Sequence, residues 1–292
     1  MQPFAYERPT TVEQAARLLA NDGARALAGG TDLVPQLRER RRHASLIVDL
    51  KHIPDLTAVS RTASGGWLIG AATTISRLGA DAGFAADHAG LIQAARLIGS
   101  LQIQSRASLG GNLANGAPSA DAVPLLISLD AQAEIAGAQG RRRVPVHKLP
   151  SGPGRTTLAV GELLVALHLP PRPPRTAARY LRFTPRREMD IAIAGAGVVL
   201  TLSADGSVAD ARITLASVAP IPLRAARAES SLVGHRPTQA VLTEAGRIAA
   251  AEARPISDTR GSADYRRDLV AVLTRRALEA CVGEIASGGA RP

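Results

Sequence analysis

Pro170-Pro171-Arg172-Pro173-Pro174 sets the first limit on what this chain can fold into. Proline fixes φ near −65° and has no N–H to donate, so this run excludes both a helix and an inner strand. Such a segment is stiff and extended. It divides the 292 residues into a first part, 1–171, and a second, 177–285, and a chain of this length has room for two moderate domains.

The first part carries two Gly-Gly-polar stretches. Ala26 to Val34 reads ALAGGTDLV, with Gly29, Gly30 and Thr31 at its centre. Ser100 to Asp130 contains Ser108-Leu109-Gly110-Gly111-Asn112, read as a small-residue turn. Glycine lacks Cβ, so such backbone can approach a ligand closely and take positive φ. Its N–H groups can then form an anion-binding concavity, and a hydroxyl or amide at the rim adds donors. Two such turns could clamp one diphosphate from two sides. A Gly-Gly pair is also a common plain turn, and that reading stands beside the ligand-binding one.

The elements around these stretches follow from periodicity. Residues 10–20 read as a helix with a Thr10–Glu13 capping box and an apolar stripe of Val12, Ala15, Ala16 and Leu19. A strand over 24–28, a helix over 31–41 and a strand over 45–50 complete a βαβ-like first lobe, 1–57. The second lobe, 58–171, is α+β. It has strands at 58–60, 67–70, 131–135, 144–146 and 163–169, a helix over 88–99, and a helix after Pro118 with Ser119 as candidate N-cap. Thr73 or Thr74 caps a further short helix. Beyond the prolines, 191–202 and 211–218 read as strands, and 222–232, 238–253 and 262–283 as helices. Cys281 falls on the apolar face of the last one and reads as core.

Several chemistries are excluded or find no support. One cysteine permits neither an internal disulfide nor a four-cysteine iron–sulfur cluster in this chain. Neither lysine follows a glycine, so there is no Walker A loop; HExxH and GxSxG are absent too. The six histidines have no metal-ligand spacing. Gly195-Ala196-Gly197-Val198-Val199-Leu200 lacks the third glycine of a dinucleotide fingerprint and reads as strand. The net charge of +10 is carried by arginine, with runs at 38–42, 141–143 and 186–187. These read as solvated surface or a patch for a partner subunit; no aromatic-interleaved basic motif points to nucleic acid. The N-terminus has no apolar signal region and no run spans a bilayer, so the chain reads as soluble and cytoplasmic.

AGGTDL at 28–33, SLGGNLAN at 108–115 and Asp121 together resemble the FAD-binding medium subunits of the molybdenum hydroxylases, of the carbon monoxide dehydrogenase and xanthine dehydrogenase type. Tyr180 to Ala192, YLRFTPRREMDIA, is similar to that family's segment joining its two domains. The resemblance implies an α+β fold: a two-lobed FAD-binding domain, vanillyl-alcohol-oxidase/PCMH-like, followed by an α+β domain of antiparallel sheet and helices. It implies that Ala28, Gly29, Gly30, Thr31, Asp32 and Leu33 face Ser108, Leu109, Gly110, Gly111 and Asn112 across the FAD diphosphate. Asp121 would contact a sugar hydroxyl, since phosphates repel a carboxylate. Leu164 matches an apolar position against the cofactor, and Arg182 a basic residue whose charge would favour anionic reduced flavin. Asp190 and Ile191 match a pair beside the isoalloxazine ring, and Ile98 a position where some relatives place an aromatic ring.

Departures from the family pattern are Gln104-Ser105 for Arg-Asn and Ser108 for threonine; Ile98 and Ile191 leave both flavin faces without an aromatic stack. The implied function is electron transfer through FAD to NAD⁺, a quinone or oxygen. Molybdopterin would sit on a large partner subunit and two [2Fe-2S] clusters on a small one, in a dimer of heterotrimers. The alternatives are a self-sufficient flavoenzyme of the same fold, and a non-enzymatic module that uses its arginine surface.

Overall fold

The computed structural model describes residues 2–186 and 189–288; Arg187 of the 186–187 pair, with part of the Tyr180 to Ala192 segment, lies outside them. The first lobe is a parallel sheet of Ala5–Glu7, Leu46–Asp49 and Ala24–Leu27, in that spatial order. The helix Val12–Leu19 crosses between strands and buries the expected stripe of Val12, Ala15, Ala16 and Leu19. Its N-cap is Thr11, one residue beyond the expected Thr10, and the Thr11 hydroxyl accepts from Gln14 N at 3.2 Å. Gln14 Oε1 in turn accepts from Thr10 N at 3.0 Å, so the box closes on Gln14 rather than Glu13.

The second lobe is a five-stranded antiparallel sheet in the spatial order Val59–Arg61, Trp67–Gly70, Leu163–Leu169, Gln132–Gly137, Gly140–Pro145. Short helices cover one face. Their side chains build the largest core, almost wholly aliphatic, with Trp67 edge-on to Phe84 at 5.3 Å as its aromatic pair.

Three expectations in this lobe need correction. The segment 108–112 is not a turn: Ser108 is an N-cap, and Leu109–Ala114 is a helix that contains both glycines. The helix after Pro118 starts at Val123, with Ala122 in the cap position, not Ser119. The helix expected over 88–99 is Ala89–Ala95; Gly99 at φ +60° turns the chain into a second short helix, Leu101–Gln104.

The second part is an antiparallel sheet of Thr176–Phe183, Ala194–Leu202, Val208–Ala216 and Leu223–Arg224 in chain order. The helices Gln239–Glu252 and Ala263–Ala286 pack on it. Residues 222–232 are a strand and a one-turn helix, Ala226–Ser230, because Leu223 pairs with Leu215 instead of continuing a helix. Cys281 is wholly buried in this core. Gly195 and Gly197 lie in the central strand, where a Cβ would stand 2.5 Å from the Tyr180 hydroxyl and 2.9 Å from Pro124. Packing, not a nucleotide, requires them.

The proline run separates the two sheets but not the two cores. Ala178, Tyr180, Val199 and Ala216 of the four-stranded sheet after the prolines are buried among the helices of the second lobe. The Ser128 hydroxyl is bonded to the Thr214 hydroxyl at 2.8 Å and donates to Gly197 O at 3.1 Å, all buried. A Cβ on Gly90 would sit 2.0 Å from Ala178 O, so helix and strand backbones touch there. At Gly79, by contrast, the nearest atom is the Arg96 guanidinium at 3.5 Å. Both glycines are helical, so alanine brings each the same propensity gain of about 1 kcal/mol. Chemical denaturation should find Gly79→Ala neutral or slightly stabilising, and Gly90→Ala destabilising by about 2 kcal/mol or more through overpacking.

Candidate functional site

The parallel strands Ala24–Leu27 and Leu46–Asp49 both end at one edge of the first lobe, and ligands of open α/β sheets bind at such carboxyl ends. From Leu27 the chain enters the 28–32 loop, where Gly30 takes φ +78°, a conformation costly for any residue with a Cβ. None of the N–H groups of residues 29–33 is bonded to a backbone acceptor among the described residues. Across a cleft stands the first turn of Leu109–Ala114. There the Ser108 hydroxyl accepts from Gly111 N at 3.0 Å. The N–H groups of Leu109 and Gly110 have no backbone acceptor among the described residues.

Apart from Gly30, the paired glycines divide into two kinds. A Cβ on Gly29 would lie 2.1 Å from Arg106 O, and one on Gly110 would lie 2.4 Å from Ala71 O. These two let backbone pack on backbone and so set the cleft's width. A Cβ on Gly111 would meet only the Ser108 hydroxyl, at 3.0 Å, and otherwise point into open space. That open position, the free N–H groups and the apolar walls of Leu50, Ala71, Leu158 and Leu163 suit a dinucleotide.

The cleft brings together residues 28–33, Ile98, Ser108, Gly110, Gly111, Asn112 and Leu164. Leu109 points away into the core. Asp121, Arg182, Asp190 and Ile191 are not part of its lining. Asn112 Oδ1 accepts from Ala122 N at 3.4 Å, which leaves the amide donors uncommitted.

Asp121 and Arg182 form a separate buried cluster. Asp121 Oδ1 accepts from the Tyr180 hydroxyl at 3.0 Å, and Oδ2 accepts from Arg182 Nη1. Burial pushes the Asp121 carboxyl up to about 6, against the opposing pull of Arg182 and Tyr180. Asp190 is half-buried, its carboxylate held below the usual range, chiefly by the Ile191 N–H at 2.8 Å. Ile191 itself is exposed.

Polar lining that sequence reasoning missed includes Arg25, Gln36, Arg42, Asn115 and Glu162. Asn115 is three residues from Asn112 and shares its helix face; a helical reading of 109–114 would have placed it. Gln36 is four from Asp32 in the same way. Arg25 and Arg42 carry no local signal. Glu162 brings no free negative charge, because Arg142 binds it through two bonds at 2.7 and 2.8 Å and keeps its carboxyl low. Burial raises the Asp32 carboxyl, and the charge of Arg42 opposes the shift.

Comparison with known proteins agrees with this geometry. Residues 2–172 match the FAD binding domain in molybdopterin dehydrogenase, and 179–281 the CO dehydrogenase flavoprotein C-terminal domain. The chain is 37% identical over 278 residues to the carbon monoxide dehydrogenase medium chain of Afipia carboxidovorans, covering 94% of this chain and 96% of that one. It is 32% identical over 287 residues to the xanthine dehydrogenase FAD-binding subunit of Escherichia coli O157:H7, covering 98% and 97%. Its fold superposes on a chain of reconstituted CO dehydrogenase from Oligotropha carboxidovorans with a TM-score of 0.92 at 35% identity, covering 97% and 98%. A chain of quinoline 2-oxidoreductase from Pseudomonas putida 86 gives 0.90 at 28%, also covering 97% and 98%. This chain belongs to the FAD-binding subunits of the molybdenum hydroxylase family, and it is an oxidoreductase subunit. No helix among the described residues is long and apolar enough to cross a membrane.

The buried carboxylate gives a pH dependence with a defined sign. Its folded pKa of about 6 lies above the ordinary value of 3.8. The native state therefore binds the proton more tightly than the unfolded one. The resulting stabilisation is complete below the ordinary value and is lost as pH rises through about 6. Asp121→Asn does not titrate. Denaturant titrations should show the variant gaining on wild type from about pH 4 to 6, by at most about 1.4 kcal/mol per pH unit, and levelling off above.

Proposed function

We propose that FAD lies in the cleft between the lobes and that the chain relays electrons through it. The carrying observation is the array of free N–H groups at 29–33 opposite the open Gly111 position. In this reading residues 1–171 hold the cofactor, and 177–285 close over its reactive end. The 29–33 and 109–110 N–H groups bind the diphosphate, and Thr31 adds a hydroxyl. Asn112 donates to phosphate or ribitol oxygens, Leu164 and Ile98 pack against the rings, and Asp121 accepts from a cofactor hydroxyl. Arg182 supplies positive charge near the flavin, with Asp190 and Ile191 beside it.

When bound, FAD supplies the exchange between two-electron and one-electron steps. Among the described residues, the lining of the cleft contains no histidine or tyrosine, which accords with a role in binding and tuning rather than in proton chemistry on the oxidised substrate. Substrate oxidation then belongs to a molybdopterin-bearing large subunit, and electrons arrive from [2Fe-2S] clusters on a small subunit. The names of the relatives, a medium chain and an FAD-binding subunit, support this division of labour. The assembly is a dimer of heterotrimers working in the cytoplasm.

The test is spectroscopic. Full-length chain saturated with FAD and freed of excess should keep a visible flavin band. Gly111→Val, which fills the open side, should lose it while keeping wild-type circular dichroism; Gly110→Val should instead disturb folding against Ala71. A pull-down of the native complex should bring molybdenum and iron with the chain. A flavin band with neither metal would defeat the three-component part, and no band in the native complex would defeat the cofactor assignment.

A further inference from the structure

We propose that Arg42 is a cofactor-binding residue: it ties the first lobe to the second at one end of the cleft and supplies the cation that lets a diphosphate lie beside Asp32. This rests on the cleft holding FAD. No motif of the family resemblance includes residue 42, and in the sequence it is one of several arginines in a run over 38–42.

The fold treats the members of that run differently. After the helix Leu33–Arg38, Arg40 takes φ +59° and turns the chain back. The N–H groups of Arg41 and Arg42 then bond to Gln36 O at 2.9 and 3.2 Å. Arg41 pairs with Glu39 on the surface. Of the arginines in the run, Arg42 alone lines the cleft. Its Nη2 donates to Gly154 O at 3.4 Å, in the second lobe. Gly154 N donates to Gly116 O at 2.9 Å, and Gly116 follows Asn115 in the chain. Asn115 Oδ1 accepts from Gln36 Nε2 at 3.4 Å. These bonds form a closed circuit, Arg42–Gly154–Gly116–Asn115–Gln36–Arg42, that joins the two lobes across the end of the cleft.

The charges there need this residue. Asp32 is an exposed residue of the cleft lining, where an anionic ligand would repel its carboxylate. Glu162 is already neutralised by Arg142. Among the described residues, the remaining charged groups of the lining are Arg25, Arg42 and Asp32. Without Arg42 the unpaired charged side chains of the lining sum to zero; with it they carry one positive charge. Arg42 has no carboxylate within ion-pair distance among the described residues and acts on Asp32 through space, so its guanidinium keeps donors for phosphate oxygens.

The test compares FAD with riboflavin, which has no phosphate, on the full-length chain. Dissociation constants at low and at roughly physiological salt are measured for wild type, Arg42→Gln and Arg42→Lys by flavin fluorescence quenching. Arg42→Gln should weaken FAD by about tenfold at low salt and flatten its salt dependence, while leaving riboflavin within about twofold of wild type. Arg42→Lys should restore the salt dependence. Equal FAD affinity and equal salt dependence in Arg42→Gln would overturn the proposal. So would a parallel loss of FAD and riboflavin with unchanged salt dependence, which marks a purely structural bridge. Wild-type chain and native complex both without FAD would instead overturn the cofactor assignment beneath it.

Discussion

Two backbone-on-backbone contacts hold the site together. Gly29 lies against the Arg106–Ala107 peptide, and Gly110 against Ala71, both closer than any Cβ allows. Through them the loop after the first lobe's second strand, the segment before residue 108 and the end of the Trp67–Gly70 strand become one block. The cleft is what remains beside that block. Its donors are therefore positioned by main chain rather than by mobile side chains, so little conformational freedom is lost when an anion settles on them.

A second constraint runs from the far domain. Thr176–Phe183 begins one residue after the proline run and delivers Tyr180 and Arg182 to Asp121 of the second lobe. A buried carboxylate needs such partners, because an unpaired charge in that position would be costly. The hydroxyl and guanidinium each occupy one of its two oxygens. Any hydroxyl that a cofactor offers to Asp121 must share an oxygen already in use, which ties the cofactor's position to the strand from the other domain.

Much of this was legible in the residues. The stripes of Val12–Leu19 and Ala263–Ala286 and the apolar run Leu163–Leu169 gave those elements, since burial on one face leaves a period in the sequence. The 109–114 helix was not legible. Glycine is a poor helix former, and what offsets its propensity is the local Ser108 cap together with the tertiary packing of Gly110 on Ala71. The strand Ala5–Glu7 is three exposed residues and leaves no pattern. The paired glycines located the cleft; its charges were hidden, because Arg25 and Arg42 look like every other surface arginine until the chain is folded.

The shared core across Pro170–Pro174 bears on how such subunits can diversify. The two halves are distinct in sequence and in sheet, yet Gly90 on Ala178, Gly197 on Pro124 and Ser128 on Thr214 are matched pairs across the seam. A half grafted from a relative would arrive with its own side of each pair. Recombination at the prolines would therefore be demanding for the protein, whereas exchange of a whole subunit would leave each pair intact.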